Sequence, residues 1–216
     1  MEARPDFKNM STKKKFEYVW DYYRLHISII IILTIIFSSI FHYYATMKEP
    51  VMSAVFINGY SPYEGLLGLD EFFTAQGFDA DTQEISITTS LKLSLTEESY
   101  QADYYTLESL NAMFAAGDLD IFAAPRQLYN QFAPAGYVAD LRIVFSEAEL
   151  AAFEGILLYV TNTETGEKIP CGFDMSENRW LKEYEYYTEG NCHMGIPANS
   201  DNPAIAREFL LYLLNY

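Results

Sequence analysis

Histidine and cysteine are scarce in this chain, three and two among 216 residues. The two cysteines, Cys171 and Cys192, form no C-x-x-C and have no histidine pair beside them, which excludes a zinc finger and a thioredoxin-like redox motif. His26 and His42 border an apolar run and His193 follows Cys192, so no Ser/Cys–His–Asp set is legible in the residue order. G-x-G-x-x-G and the phosphate loop are both absent. "DADTQE" (79–84) begins like a calcium loop but lacks the glycine and closing glutamate that such a loop needs, and reads as a turn. Basic residues are also few, 14 against 30 acids, for a net charge of −16. Such a balance repels nucleic-acid phosphates and excludes nucleic acid as a partner. No catalytic set, cofactor or metal site is read from these residues, and the expectation is a protein that is not an enzyme.

Half of the chain is hydrophobic, with 18 Tyr and 15 Phe, and the charge is unevenly spread. Residues 1–25 hold six Lys/Arg, Arg4 and Lys8 among them, against four acids, a net of +2; the remainder holds 8 bases and 26 acids, a net of −18. Between them lies "HISIIIILTIIFSSIFHYY", uncharged from Ile27 to Phe41. At about 1.5 Å per residue, roughly 20 residues cross a bilayer core, and Leu25–Tyr44 is that long. Ser28, Thr34, Ser38 and Ser39 can bond back to the helix backbone. Trp20, Tyr22 and Tyr23 before the run, and Tyr43 and Tyr44 after it, match interfacial aromatic belts. Lys13, Lys14, Lys15 and Arg24 precede it and only Lys48 closely follows, so the positive-inside rule places the N-terminus in the cytoplasm and the bulk outside. The expected organisation is a cytoplasmic head (1–25), a single-pass transmembrane helix in the lipid bilayer (26–46) and an extracytoplasmic domain (47–216). A cleaved signal peptide shares the basic head and apolar run, but a cut after Ala45 puts bulky Tyr43 where a small residue is preferred. Phe16, Val19, Trp20 and Tyr23 recur at helical spacing, which fits either an amphipathic helix on the membrane surface or an extension of the span.

In the outer domain, strand-like and helix-like segments alternate. "VMSAVFING", "EISITTS" and "LDIFAA" read as strands; "YEGLLGLDEFFTAQGF", starting near Tyr63, and "PRQLYNQFAPAG" read as helices. "TEESYQADYYTLESLNAMFAAG" is a helix capped by Thr96, with Tyr100, Tyr104, Leu107, Leu110 or Met113, and Phe114 as its apolar stripe, ended by Gly117. Then come a helix in "SEAELAAFEG", strands in "ILLYVTN" and "EKIPCGF" around "TETGE", a strand near "CHMGIPA", and a last helix "PAIAREFLLYLL" capped by Asn202. The pattern predicts an α/β domain with a largely parallel sheet and flanking helices, with "DIFAA" as a central strand covered on both faces. Cys171 and Cys192, both in the outer part where disulfides persist, are expected to form one structural disulfide; two buried free thiols are the competing reading.

The stretches "FAAGDLDIF", "LYNQFAPAGYVADL" and "GIPANSDNPAIAREFLLYLLN" resemble the type 2 periplasmic (extracellular) solute-binding proteins of ABC importers. "KKKFEYVWDYYRLH" before the span, with "GEKIPCGFDMS" further on, is similar to membrane-anchored proteins of Gram-positive anaerobes. The resemblance implies a periplasmic-binding-protein-like lobe. That family has two lobes around a ligand cleft, whereas only "GFDMSENRWLKEYEYYTEGN" lies between Cys171 and Cys192 here, too little for a second lobe. A single lobe is expected.

In open α/β sheets ligands sit at the carboxyl ends of the strands, which here bear Asn58, Tyr60, Thr88, Thr89 and Arg126. Trp180 and Tyr184, in the aromatic segment Arg179–Gly190, present faces that stack on sugars or anchor a protein; packing within the domain is the alternative. These seven residues form the candidate ligand or partner surface. The expected role is an accessory or interaction subunit of a membrane assembly, with ABC-transporter subunits as partners. The alternative is a receptor or sensor for a small molecule.

Overall fold

A computed structural model of the chain describes residues 11–60, 68–94, 100–162, 165–187 and 191–216, with the side chains of Val19 and of residues 100–103 outside that description. Arg4, Lys8, Tyr63, the proposed Thr96 cap and Thr188–Gly190 also lie outside it. Contacts divide the chain into Met1–Met47 and Lys48–Tyr216.

The first unit is one helix, α1 (Thr12–Thr46), 35 residues without a break. The basic head therefore continues the apolar run as the same helix, which favours the extension over a separate amphipathic helix. Within it, Trp20–Thr46 is the one helix among the described residues that is long and apolar enough to cross a membrane. Thr34 Oγ1 donates to the Ile30 carbonyl at 2.8 Å, so its hydroxyl is satisfied without water. The apolar side chains from Leu25 to Tyr44 are exposed, apart from half-buried Ile27.

The second unit is an α/β domain built on one mixed six-stranded sheet. The strands are β1 (Glu49–Phe56), β2 (Gln83–Thr88), β3 (Ile121–Ala124), β4 (Leu157–Thr161), β5 (Lys168–Asp174) and β6 (His193–Gly195), in the order β2-β1-β3-β6-β5-β4. β1 pairs in parallel with β2 and β3, whereas β3–β6, β6–β5 and β5–β4 are antiparallel. The largely parallel sheet expected from the alternation is thus corrected to a mixed one. The cause is the connection of the late strands: β4 and β5 are joined by a hairpin, and β6 returns after one short helix.

Helices α2 (Asp70–Ala75), α3 (Tyr100–Ala116), α4 (Arg126–Phe132), α5 (Glu147–Ala152), α6 (Arg179–Glu183) and α7 (Pro203–Asn215) flank the sheet. Strand alternation sends Ala54, Phe56, Ile121 and Ala123 to one face, where they meet Phe72, Phe145, Trp180 and Phe209. Val55, Ile57, Phe122 and Ala124 point to the other and meet Leu110, Phe114, Leu128 and Phe132. All four residues of β3 are fully buried, as a strand covered on both faces must be. Not every member of the predicted α3 stripe is inside: Leu110 and Phe114 are buried, but Tyr104 is 54% exposed.

α5 opens with a capping box, in which the Ser146 hydroxyl accepts from the Glu149 N–H and the Glu149 carboxylate accepts from the Ser146 N–H. The predicted Asn202 cap is absent; the Asn202 side chain turns instead to the buried carboxylate of Asp120. Asp120 accepts from Ser53 N–H at 3.0 Å, Ser200 Oγ at 2.6 Å and Asn202 N–H at 3.1 Å, joining β1, the foot of β3 and the start of α7. The "GDLDIF" motif is therefore a structural joint.

Candidate functional site

Parallel strands β1, β2 and β3 carry their carboxyl ends to one end of the sheet, and with them five of the seven predicted residues. Asn58 follows β1 in the left-handed region, φ 58°. Its amide donates to the Leu93 carbonyl at 2.7 Å and accepts from the Leu93 N–H at 2.8 Å. Those bonds occupy Asn58 as a clamp on the loop after β2. Tyr60 is 58% exposed, with its backbone N–H bonded to the Tyr186 carbonyl. Thr88 and Thr89 are half-buried, and Arg126 is exposed at the start of α4 with its N–H on Asn191 Oδ1 at 3.0 Å.

Trp180 and Tyr184 do not join them as a docking surface. Trp180 is fully buried, stacked on Tyr186 with ring centroids 4.7 Å apart, and its indole N–H donates to the Gly68 carbonyl at 3.1 Å. Tyr184 is half-buried against it, 5.6 Å between centroids. The aromatic segment after β5 plugs the domain's own core, the packing alternative.

The disulfide is likewise absent: both cysteines are free and buried. A register shift between β4 and β5 leaves Cys171 unpaired between Pro170 and Gly172, and this bulge turns it to the α3–α4 face. Cys192 lies on the opposite face, and its carbonyl accepts from Met175 N–H, four residues along β5. At about 3.4 Å per residue the two are roughly 13 Å apart, against a limit of about 7 Å for a bridge. Each thiol therefore reacts with an aromatic disulfide reagent only after denaturation, and reductant leaves the melting temperature unchanged. Loss of a native disulfide would instead cost about 2–5 kcal/mol.

Residue order concealed a polar cluster beside Arg126. Asp174 and His193 are partners across β5 and β6, with His193 Nε2 3.8 Å from Asp174 Oδ2. His193 is buried edge-on to Tyr129, and neither ring nitrogen has a hydrogen-bond partner among the described residues. Burial holds the imidazole below its usual value; Asp174 opposes that shift and Arg126 adds to it. Burial pushes the Asp174 carboxyl up, but hydrogen bonds from Ser176 and the charges of His193 and Arg126 carry it below the usual range. Tyr129 lies across two glycines: a Cβ at Gly172 or Gly195 would stand 2.2 or 2.1 Å from its hydroxyl, which donates to the Cys171 carbonyl at 2.7 Å. "PCGF" and "HMG" were the available sequence signals for that seat.

Burial pushes the Cys171 thiol up to about 11 and raises Cys192, Tyr129 and Tyr187 as well. Protonated thiols are poor nucleophiles. The neutral imidazole makes a pH prediction. The unfolded chain binds a proton at about pH 6.5, the folded chain only at lower pH, so His193 contributes stability above that value and withdraws it as pH falls. Thermal melts of the wild type should therefore fall from about pH 6.5 downward, and His193→Phe should flatten that limb. Parallel curves for the two proteins would refute the assignment.

At the opposite end of the sheet, where β6 ends, a groove of about 710 Å³ runs between the turn at Ala139–Val144, Ile196–Ala198 and the first turns of α7. Its wall is apolar (Ala139, Ile143, Val144, Ile196, Pro197, Ile205), and its rim carries Glu149, Arg207 and Glu208. Arg207 is shared between the two carboxylates. None of the seven sequence candidates lines it, because it is assembled from segments far apart in the chain.

No family model, curated protein or solved structure matches this chain.

Proposed function

We propose that the chain is a membrane-tethered, non-enzymatic accessory subunit of a membrane assembly, with Lys48–Tyr216 outside the cell. The observation that carries this reading is α1, an uninterrupted helix whose apolar side chains from Leu25 to Tyr44 are exposed, apart from half-buried Ile27. Water does not tolerate so long an apolar surface, and lipid satisfies it. Lys13–Lys15 and Arg24 before it, with only Lys48 closely after, support that orientation. The buried, protonated thiols and a His193 imidazole that bonds no described side chain support a role in binding. The resemblance to one lobe of a type 2 solute-binding protein points to ABC transporters among such assemblies. Crosslinking in native membranes, purification through a C-terminal tag and mass spectrometry test the proposal. Recovery of permease or ATPase subunits is the expected result; recovery of the chain alone sinks it.

A second reading, a small-molecule receptor, is favoured by the groove, whose volume falls within the roughly 300–1,000 Å³ typical of ligand pockets. A saturable, ligand-dependent rise in the melting temperature of the full chain, following RT ln(1 + [L]/Kd), would decide for it.

A further inference from the structure

The geometry points to the groove along α7 as the docking site for a basic amphipathic segment of a partner protein, and this inference rests on the accessory-subunit reading above. The groove does not end at the first turns of α7. Gln76 and Glu208 also line a second depression, of about 490 Å³, which continues between α2 and α7 past Glu71, Phe72, Leu211 and Tyr212 to Tyr216. The two depressions share Gln76 and Glu208 and follow one side of α7 in succession, and we take them together as a trough; the 13 residues of α7 measure about 20 Å at 1.5 Å each. An extended trough of that length suits a helix laid into a groove, with its apolar face inward.

Its chemistry selects the sign of the occupant. Ile143 stands 81% exposed at one wall, outside both core clusters; Val144 and Ile205 beside it are half-buried, packed partly against the core, and turn their remaining surface to the trough. Among the described residues the charged side chains lining the trough are Glu71, Glu149, Glu208 and Arg207, three carboxylates against one guanidinium, a formal balance of −2. Arg207 is already held by two of those carboxylates, so it offers little to an anionic partner. Glu149 stays ionised, because bonds from Ser146 and Arg207 hold its carboxyl below the usual range. A segment with leucine-like residues on one face and lysine or arginine flanking it satisfies both the wall and the rim. An acidic segment meets like charge, and a wholly apolar one leaves the rim carboxylates to be desolvated without compensation.

The test must separate this trough from the general acidity of the domain. The full chain is placed in phosphatidylcholine nanodiscs and titrated with a fluorescent amphipathic peptide of leucine and lysine, roughly 14 residues long to match α7, with empty discs as background. Expected is saturable binding that the leucine–glutamate counterpart lacks. Ile143→Ser, at a site too exposed to endanger the fold, should weaken it at least about tenfold, a loss of about 1.4 kcal/mol. So should the pair Glu71→Lys and Glu208→Lys. The pair Glu84→Lys and Glu108→Lys, exposed on β2 and α3, changes the net charge equally and should shift affinity by less than about twofold. Equal weakening by both charge pairs, insensitivity to Ile143→Ser, equal binding of the acidic peptide, or no binding overturns the proposal. Should the peptide fail while native-membrane crosslinking recovers transporter subunits, the trough is wrong and the accessory role stands. Should the peptide bind as expected while crosslinking recovers the chain alone, the trough stands and the accessory role falls.

Discussion

Asp120→Ala should lower the melting temperature of the full chain in detergent by about 10 °C, since each kcal/mol is worth about 2–4 °C in a domain of this size. Asp120 sits at the foot of the central strand, 1% exposed, and its carboxylate accepts from Ser53 N–H, Ser200 Oγ and Asn202 N–H. Hydrogen bonds to an ionised acceptor contribute about 1.5–3 kcal/mol each. Three of them would exceed the whole margin of many domains, but two effects reduce the loss. Burying the carboxylate carries a desolvation cost that the alanine escapes, and Ser200 and Asn202 lie near enough to solvent to be partly rehydrated. The net is about 3–4 kcal/mol. Asp120→Asn keeps the volume and one acceptor oxygen, so it should fall between the wild type and alanine. A shift below about 2 °C for alanine, by this same scaling, would mean that the joint between β1, β3 and α7 does not hold the domain together.

The Asp120 joint shows what the residue order reveals and what it hides. "GDLDIF" stood out as a motif because its local chemistry is complete: Gly117 takes φ +78° to end α3, and an apolar run follows at once. α5 was legible for the same reason, with a capping box inside four residues, and so was α7, with Pro203 at its first turn. Local signals also sufficed to find all six strands within a few residues. Strand direction was not local. β6 could have returned either way, and only its pairing with Phe122–Ala124 and Phe173–Asp174 makes the sheet mixed. The cysteines failed similarly, since one bulge at Cys171 decides which face that thiol takes. His193 and Asp174 are 19 positions apart and become neighbours through a strand register. The trough is the extreme case: α2, the turn before α5, the loop after β6 and α7 each contribute a few unremarkable side chains.

The second large effect concerns Trp180, where packing and docking predict opposite results. Its ring stacks on Tyr186 at an interplanar angle of 15°, meets Phe209 edge-on at 6.3 Å, and bonds through its N–H to Gly68. Gly68 has φ +75°, and a Cβ there would lie 2.1 Å from the Tyr184 ring and 2.7 Å from the indole nitrogen, so Gly68 itself is fitted closely to these two side chains. The Tyr212 hydroxyl donates to the same Gly68 carbonyl at 2.9 Å, which ties α7 into the arrangement. Trp180→Ala therefore removes a large core side chain and one of the two donors on that carbonyl, at about 3–5 kcal/mol. The melting temperature should fall by about 10–15 °C at 2–4 °C per kcal/mol. Trp180→Phe, which keeps the stack but not the N–H, should fall by less than half as much. Partner recovery per folded molecule should remain at the wild-type level in both variants, because the ring touches no solvent. If Trp180→Ala instead melts like the wild type and loses its partners, the ring is on the outside and the aromatic segment after β5 is the docking surface.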